Sequence, residues 1–130
     1  MSLNAAYAST PRYLQAVCDT PNTNYDGTGT IVELGTGAEN GTRIDGIGWA
    51  AQGSVADAGR LNIFMRLSNT DTWRFVAGFE VPAITVSVTQ PPVGGGWGNI
   101  ALILPYGAQI GIAATVAGTF MVHCPFAGDF

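Results

Sequence analysis

The side chains able to do chemistry in this chain are few and widely separated. One histidine, His123, and two cysteines, Cys18 and Cys124, are the only imidazole and thiols in 130 residues. Nucleophilic catalysis needs a base within hydrogen-bond reach of the nucleophile. His123 and Cys124 are sequence neighbours, and neighbours on a strand point to opposite faces, so they form no local pair. Cys18 would have to meet His123 across strands, which the sequence gives no reason to expect. The carboxylates Asp19, Asp26, Glu33, Glu39, Asp45, Asp57, Asp71, Glu80 and Asp129 are scattered, whereas glycoside hydrolysis needs two of them facing one cleft. The cysteine spacing fits no metal pattern, and no run alternates Asp and Asn toward a terminal Glu as a calcium loop does. The glycine-rich stretches 27–29 and 94–98 open strand-like segments, not the helix a phosphate loop requires. No catalytic residue, metal ligand or cofactor site is therefore expected. Among the tryptophans, Trp73 lies on the apolar face of its segment and reads as core, while Trp97, set among glycines, is the best candidate for an exposed contact.

The elements that position these residues are strands. Eighteen Gly and seven Pro leave no room for long helices, and β-branched and aromatic runs of strand length lie between them. Segments 13–18, 30–34 and 43–51 read as strands, with Asn40-Gly41 as a hairpin signal before the third, whose alternation breaks near Gly46 and Gly48 as at a bulge or a close backbone approach. In Arg60–Leu67 the odd residues are apolar, and Trp73, Phe75, Ala77, Phe79 and Val81 continue the same face. Pairing Leu67 with Trp73 sets Arg60 opposite Glu80, a favourable cross-strand pair, and also sets Arg66 opposite Arg74. Segment 83–89 alternates as a further strand, 90–96 reads as a flexible loop, and Ile100–Leu104 is apolar on both faces, as in a central strand or one covered by a neighbouring subunit. Ile110–Val116 and Phe120–Phe126 read as a second hairpin with even residues inward. The fold class predicted is all-β: a β-sandwich or jelly roll of about eight short antiparallel strands. Residues 1–12 form an extended N-terminal arm, and 13–130 form a single domain.

Composition narrows the function. There are five Arg and no Lys, the net charge is -4, and charged residues make up 11% against a usual ~25%. That balance opposes nucleic-acid binding, which needs clustered cations. No run approaches the ~20 apolar residues that cross a bilayer, so no membrane partner is expected. Mean hydropathy is nonetheless +0.25. A charge-poor, apolar chain of this kind is expected to bury part of its surface against other chains. The alternative is a monomer coated in Gly, Ser, Thr and Asn. The first ten residues lack a basic and an apolar signal region, so a reducing folding compartment is expected, with Cys18 and Cys124 buried and reduced.

Four stretches bear on identity: Asn40-Gly41-Thr42-Arg43-Ile44-Asp45, Gly59-Arg60-Leu61-Asn62-Ile63-Phe64, Leu102-Ile103-Leu104-Pro105-Tyr106-Gly107 and the terminal Gly128-Asp129-Phe130. In this order they resemble small virion proteins of tailed bacteriophages, the capsid decoration, cement or head-fibre proteins. The resemblance covers residues 28–130 and departs in the first 27 residues and at 93–98. It implies a β-sandwich that trimerises on the major capsid protein lattice, at the capsid surface of a virion made in the bacterial cytoplasm. It supplies no catalytic residue. Partner contacts are expected of Tyr7, Pro11, Arg12 and Tyr13, of Trp97 and Ile100, and of Phe130. A rival from another class is a carbohydrate- or receptor-binding β-sandwich of a tail or head fibre.

Overall fold

The computed structural model describes residues 10–130. Its secondary structure is eight strands: β1 (Thr10–Cys18), β2 (Val32–Thr36), β3 (Thr42–Ala51), β4 (Gly59–Arg66), β5 (Arg74–Val81), β6 (Gly94–Leu104), β7 (Gln109–Ala114) and β8 (Phe120–Asp129), with no helix among the described residues. They form two four-stranded antiparallel sheets, β1-β8-β3-β6 and β2-β7-β4-β5, packed as a β-sandwich. The pairings nest: β1 with β8, β2 with β7, β3 with β6, and β4 with β5. Among the described residues, β4–β5 is therefore the only pair joined by a local turn.

Period-two patterning builds the core between the sheets. Ile44, Ile47 and Trp49 from β3 and Phe120, Val122 and Cys124 from β8 face Leu61 and Ile63 from β4 and Ile110 and Ile112 from β7, all essentially buried. At ~25 cal/mol per Å² of apolar surface, this layer is the main source of stability.

The β4–β5 hairpin has the register that places Arg60 opposite Glu80, and it holds from Gly59↔Val81 to Ile63↔Ala77. A bulge at Val76 then shifts it by one, so Phe64 meets Phe75 and Met65 meets Arg74. An extra residue reverses the face of everything beyond it. Phe75 and Trp73 consequently lie on the outer face of their sheet with Phe64, not in the central core. Arg66 does not oppose Arg74. Its guanidinium stacks 4.1 Å from the Trp73 ring centroid and its Nε donates to Gln109 at 2.7 Å.

Several expected elements are placed differently. Ile110–Val116 and Phe120–Phe126 do not form a hairpin, because β7 lies in one sheet and β8 in the other. The turn at Asn40-Gly41, with Gly41 at φ 93°, likewise crosses between sheets. A turn signal marks a reversal, but not whether the chain returns beside itself or across the sandwich. Segment 83–89 contributes only the bridge Val55↔Ile84; its other residues find no neighbouring strand. Gly94–Gly96, expected as loop, belongs to β6, and β6 is an edge strand rather than a central one. Ile100, Leu102 and Leu104 pack on the core while Ile103 is exposed.

Residues 10–12, assigned from sequence to the arm, belong to β1 and pair with Asp129, Gly128 and Ala127. The rest of the arm, residues 1–9, lies outside the described residues. Arg12 ties the sheets together: its Nη1 donates to Thr36 O at 3.0 Å and to Thr42 Oγ1 at 3.4 Å, and pairs with Asp129 at 3.2 Å. Thr42 Oγ1 in turn donates to Asp129 at 2.7 Å and accepts the Ala38 N–H at 2.9 Å.

Candidate functional site

The two outer faces of the sandwich differ. The outer face of the β2-β7-β4-β5 sheet is roofed by the chain's own segment 19–31. Buried Asn22 organises that segment, donating to Thr28 O and Thr30 O at 3.0 Å each, while its backbone N–H reaches Ala114 O at 2.8 Å. Thr28 donates its hydroxyl and its N–H to Asp26 Oδ1, which holds that carboxyl below its ordinary value. Beneath the roof, Ile31 packs on Phe64, Trp73 and Ala113, and Tyr25 meets Phe75 edge-on at 5.2 Å. Gly27, at φ 89°, sits so close to the Trp73 carbonyl that a Cβ there would lie 2.1 Å from its oxygen.

Among the described residues, no segment roofs the outer face of the β1-β8-β3-β6 sheet in this way. Register alignment puts paired residues on one face, and it gives two clear rows across the sheet. One is Val17, Met121, Ala50, Gly94; the next is Gln15, His123, Gly48, Gly96. Bulk is concentrated on β1 and β8, and the β3–β6 half is floored by glycine. The His123 ring lies over Gly48, where a Cβ would come within 2.7 Å of its Nε2. The Tyr13 hydroxyl is 3.3 Å from His123 Nδ1 and helps to hold that ring in place.

On the glycine half the sheet opens into a groove of about 790 Å³, lined by Gly46, Gly48, Gly96 and Gly98, with Phe126 at its side and the Trp97 backbone carbonyl near Gly46. That volume lies within the usual range for ligand clefts. Two bulges shape it. Between Gly98↔Gly46 and Leu102↔Ile44, β6 carries three residues where β3 carries only Asp45. Ala101, within that excursion and on the groove wall, sits at φ 44°, a left-handed conformation that costs a non-glycine residue of order 1 kcal/mol. In β8, Pro125 and Phe126 together oppose Tyr13, and the bulge turns Phe126 outward, 70% exposed. Proline has no N–H to lose and suits such a break in the ladder. Arg43 and Asp45, paired at 2.7 Å, line the groove as well.

The structure separates the residues chosen from sequence. Trp97 lines the groove at 43% exposure, and Tyr13 is exposed on the β1 half of the same face. Pro11 is exposed at the end of β1, opposite Gly128. Arg12 is instead a structural tie, Ile100 is half-buried against the core, and Phe130 is half-buried with its N–H bonded to Gly41 O at 3.1 Å. Tyr7 lies outside the described residues. Sequence reasoning missed Phe126, Arg43, Asp45 and Ala101 as groove residues, although the broken alternation near Gly46 and Gly48 did mark the irregularity, and β3 and β6 change register between Ile44 and Gly46.

Both thiols are inside the sandwich, facing away from His123. Burial raises Cys18 to about 11 and Cys124 to about 12, so neither is a nucleophile at neutral pH. They stand opposite Phe120 and Leu14, roughly 13 Å apart along the sheet, beyond disulfide reach. Among the described residues no three of His, Cys, Asp and Glu gather as a metal site. No protein-family model and no curated protein matches the chain.

Proposed function

We propose that this chain is a structural virion protein, a capsid decoration or cement protein that binds the major capsid protein lattice as a homotrimer. The observation that carries the reading is the asymmetry of the two outer faces. One is roofed by segment 19–31. The other presents exposed Tyr13, Val17 and Phe126 and half-buried Met121, with the ion pair Arg43–Asp45 beside them among the described residues. Exposed Ile103 on the edge strand extends that apolar surface. Apolar area of this kind favours burial against another chain. The nested pairings support reading the β-sandwich as a jelly roll, an architecture used in viral capsid domains, although a fold alone assigns no function. Arg12 and Asp129 make the body rigid where the chain enters it. Residues 1–9 then supply the arm that reaches a neighbouring subunit, and three weak attachments on one trimer add through effective concentration.

Light scattering and binding to undecorated capsids test this. The full-length protein is expected to be a trimer that binds the particles and raises their disruption temperature with occupancy. Deleting residues 2–9, which leaves β1 whole, is expected to preserve the trimer and weaken binding. A monodisperse monomer, or a trimer that ignores capsids, would refute the reading.

A further inference from the structure

We propose that the free edge of β6 at Gly94–Gly98 takes up, as an added strand, residues 2–9 of a second copy of this chain in a neighbouring trimer. The inference deepens the assembly reading, and rests on it for the arm's place between trimers.

β6 ends its sheet and pairs with β3 on one side only. The Ala51 N–H donates to Val93 O at 2.8 Å, and the register continues to Gly46↔Gly98. Antiparallel pairs alternate between bonded and non-bonded, so Gly95 and Trp97 turn their backbone groups toward β3. Gly94, Gly96 and Gly98 turn theirs outward. These residues are exposed, and the outward three carry no side chain to shield their N–H and C=O groups. The other sheet edges are blunted in ways that oppose strand addition. β1 has Pro11, Arg12 and a bulge, β2 has five residues and Glu33, and β5 has Arg74, Glu80 and a bulge. β6 has 11 residues and no charge. The indole of Trp49 is directed at the same edge. Trp49 is 5% exposed, and its Nε1–H has no acceptor among the described residues. A Cβ on Gly95 would lie 2.9 Å from that Nε1, so the indole reaches from β3 to beneath β6. An acceptor on an added strand would stand on that side, and buried donors of this kind are normally paired. Trp97, in register with core-facing Ile47, comes out at the same flank, 43% exposed.

Sequence and distance select the occupant. Residues 2–9 hold no charge, Gly or Pro, so every backbone N–H among them is available to a ladder. Leu3, Ala5 and Tyr7 alternate with Ser2, Asn4, Ala6 and Ala8. Laid beside β6 with its odd residues over Gly94, Gly96 and Gly98, this strand covers bare glycine with bulk, which stabilises glycine in a sheet. The small and polar residues then face Trp97 and Trp49, and Ser2 and Asn4 carry oxygens that an indole N–H can use. Residues 2–9 of the same copy do not reach. Thr10 stands in the row of Asp129, Thr42 and Leu104. The lane outside Gly98 is about 13 Å further along the strands and about 19 Å across them. That path of ~23 Å leaves ~6 Å of the ~29 Å that eight extended residues span, too little to pair along Gly94–Gly98. The strand therefore comes from another copy.

The test mixes two full-length single variants under mild oxidation and reads cross-linked dimer on a denaturing gel. One is Gly98→Cys; the other is Leu3→Cys, Ala5→Cys, Tyr7→Cys, Asn4→Cys, Ala6→Cys or Ala8→Cys in turn. A Cβ at Gly98 meets nothing within 4 Å, and the native thiols are buried. Odd arm positions share a face with Gly98 and are expected to cross-link about fivefold more than even ones. Gly98→Pro supplies a second measurement. It removes an outward N–H and no bond to β3, so its Tm is expected to match the parent's. Its binding of a fluorescein-labelled peptide of residues 2–9, followed by anisotropy, is expected to be weaker by about tenfold or more. No cross-link, equal cross-linking at odd and even positions, or peptide binding unchanged in Gly98→Pro would each overturn the proposal. Capsid binding separates the two readings. If deleting residues 2–9 weakens capsid binding while no copies cross-link, the arm meets the capsid protein, and this proposal falls while the assembly reading stands. Cross-linking by a trimer that ignores capsids would support the strand pairing and refute the capsid reading.

Discussion

Thr42→Val probes the tie that holds the two sheets together. Thr42 is fully buried, and its hydroxyl serves three partners: it donates to Asp129 at 2.7 Å, accepts the Ala38 N–H at 2.9 Å and accepts from Arg12 at 3.4 Å. Valine keeps the shape and removes the oxygen. The lost bond to a carboxylate is worth ~1.5–3 kcal/mol, and the Ala38 N–H, left without its side-chain acceptor, adds ~1 kcal/mol. The extra buried methyl returns less than ~1 kcal/mol. The net destabilisation is about 2–3 kcal/mol. For a domain of this length the unfolding entropy is about 0.27 kcal/mol per degree, so Tm should fall by about 7–11 °C. Scanning calorimetry at fixed protein concentration reads this directly, and it must be fixed because oligomerisation moves Tm. Thr42→Ser keeps the hydroxyl and is expected to lose only ~1 kcal/mol. A valine variant within 2 °C of the parent, or a serine variant less stable than the valine one, would refute the argument that the hydroxyl holds the junction.

Gly37→Ala should destabilise by roughly 2–3 kcal/mol, because a Cβ there would lie 2.0 Å from the Pro105 carbonyl oxygen. A denaturant midpoint matching the parent's would contradict that backbone approach. The thiols predict an alkaline limb of instability. Burial holds both protonated in the fold, raising them from the ordinary thiol value to about 11 and about 12. Their contribution is complete below pH 9 and is lost as pH rises through the folded values, on the order of 3 kcal/mol for each. A double Cys18→Ala, Cys124→Ala variant should be less stable at pH 7 and show a flatter profile from pH 9 to 11. An unchanged slope would exclude the thiols as its cause. In the native protein at neutral pH both should resist a thiol reagent, and after denaturation both should react. Rapid native labelling of either would contradict its burial.

The all-β class, the inward faces of β7 and the first half of β8, and the β4–β5 register around Arg60 and Glu80 could be read from the residues alone. These follow from local alternation, because a strand half-buried in a sandwich must place every second residue in the core. Which strands are neighbours is set by packing across the whole chain. Asn40-Gly41 and Ala117-Gly118 look like hairpin turns, yet each joins the two sheets, and β1 pairs with β8 across almost the whole chain. Segment 83–89 alternates as well as many strands do but has no partner beyond Ile84, whereas Gly94–Gly98 has no alternation to read and is held in β6 by its pairing with β3. Glycine carries no side chain to report a face, so its placement comes from the neighbouring strand alone. The groove was invisible for the same reason. Phe126, Asp45 and Ala101 line one groove only because bulges in β6 and β8 break the period locally, and a bulge is fixed by the partner strand's register, which lies far away in the sequence.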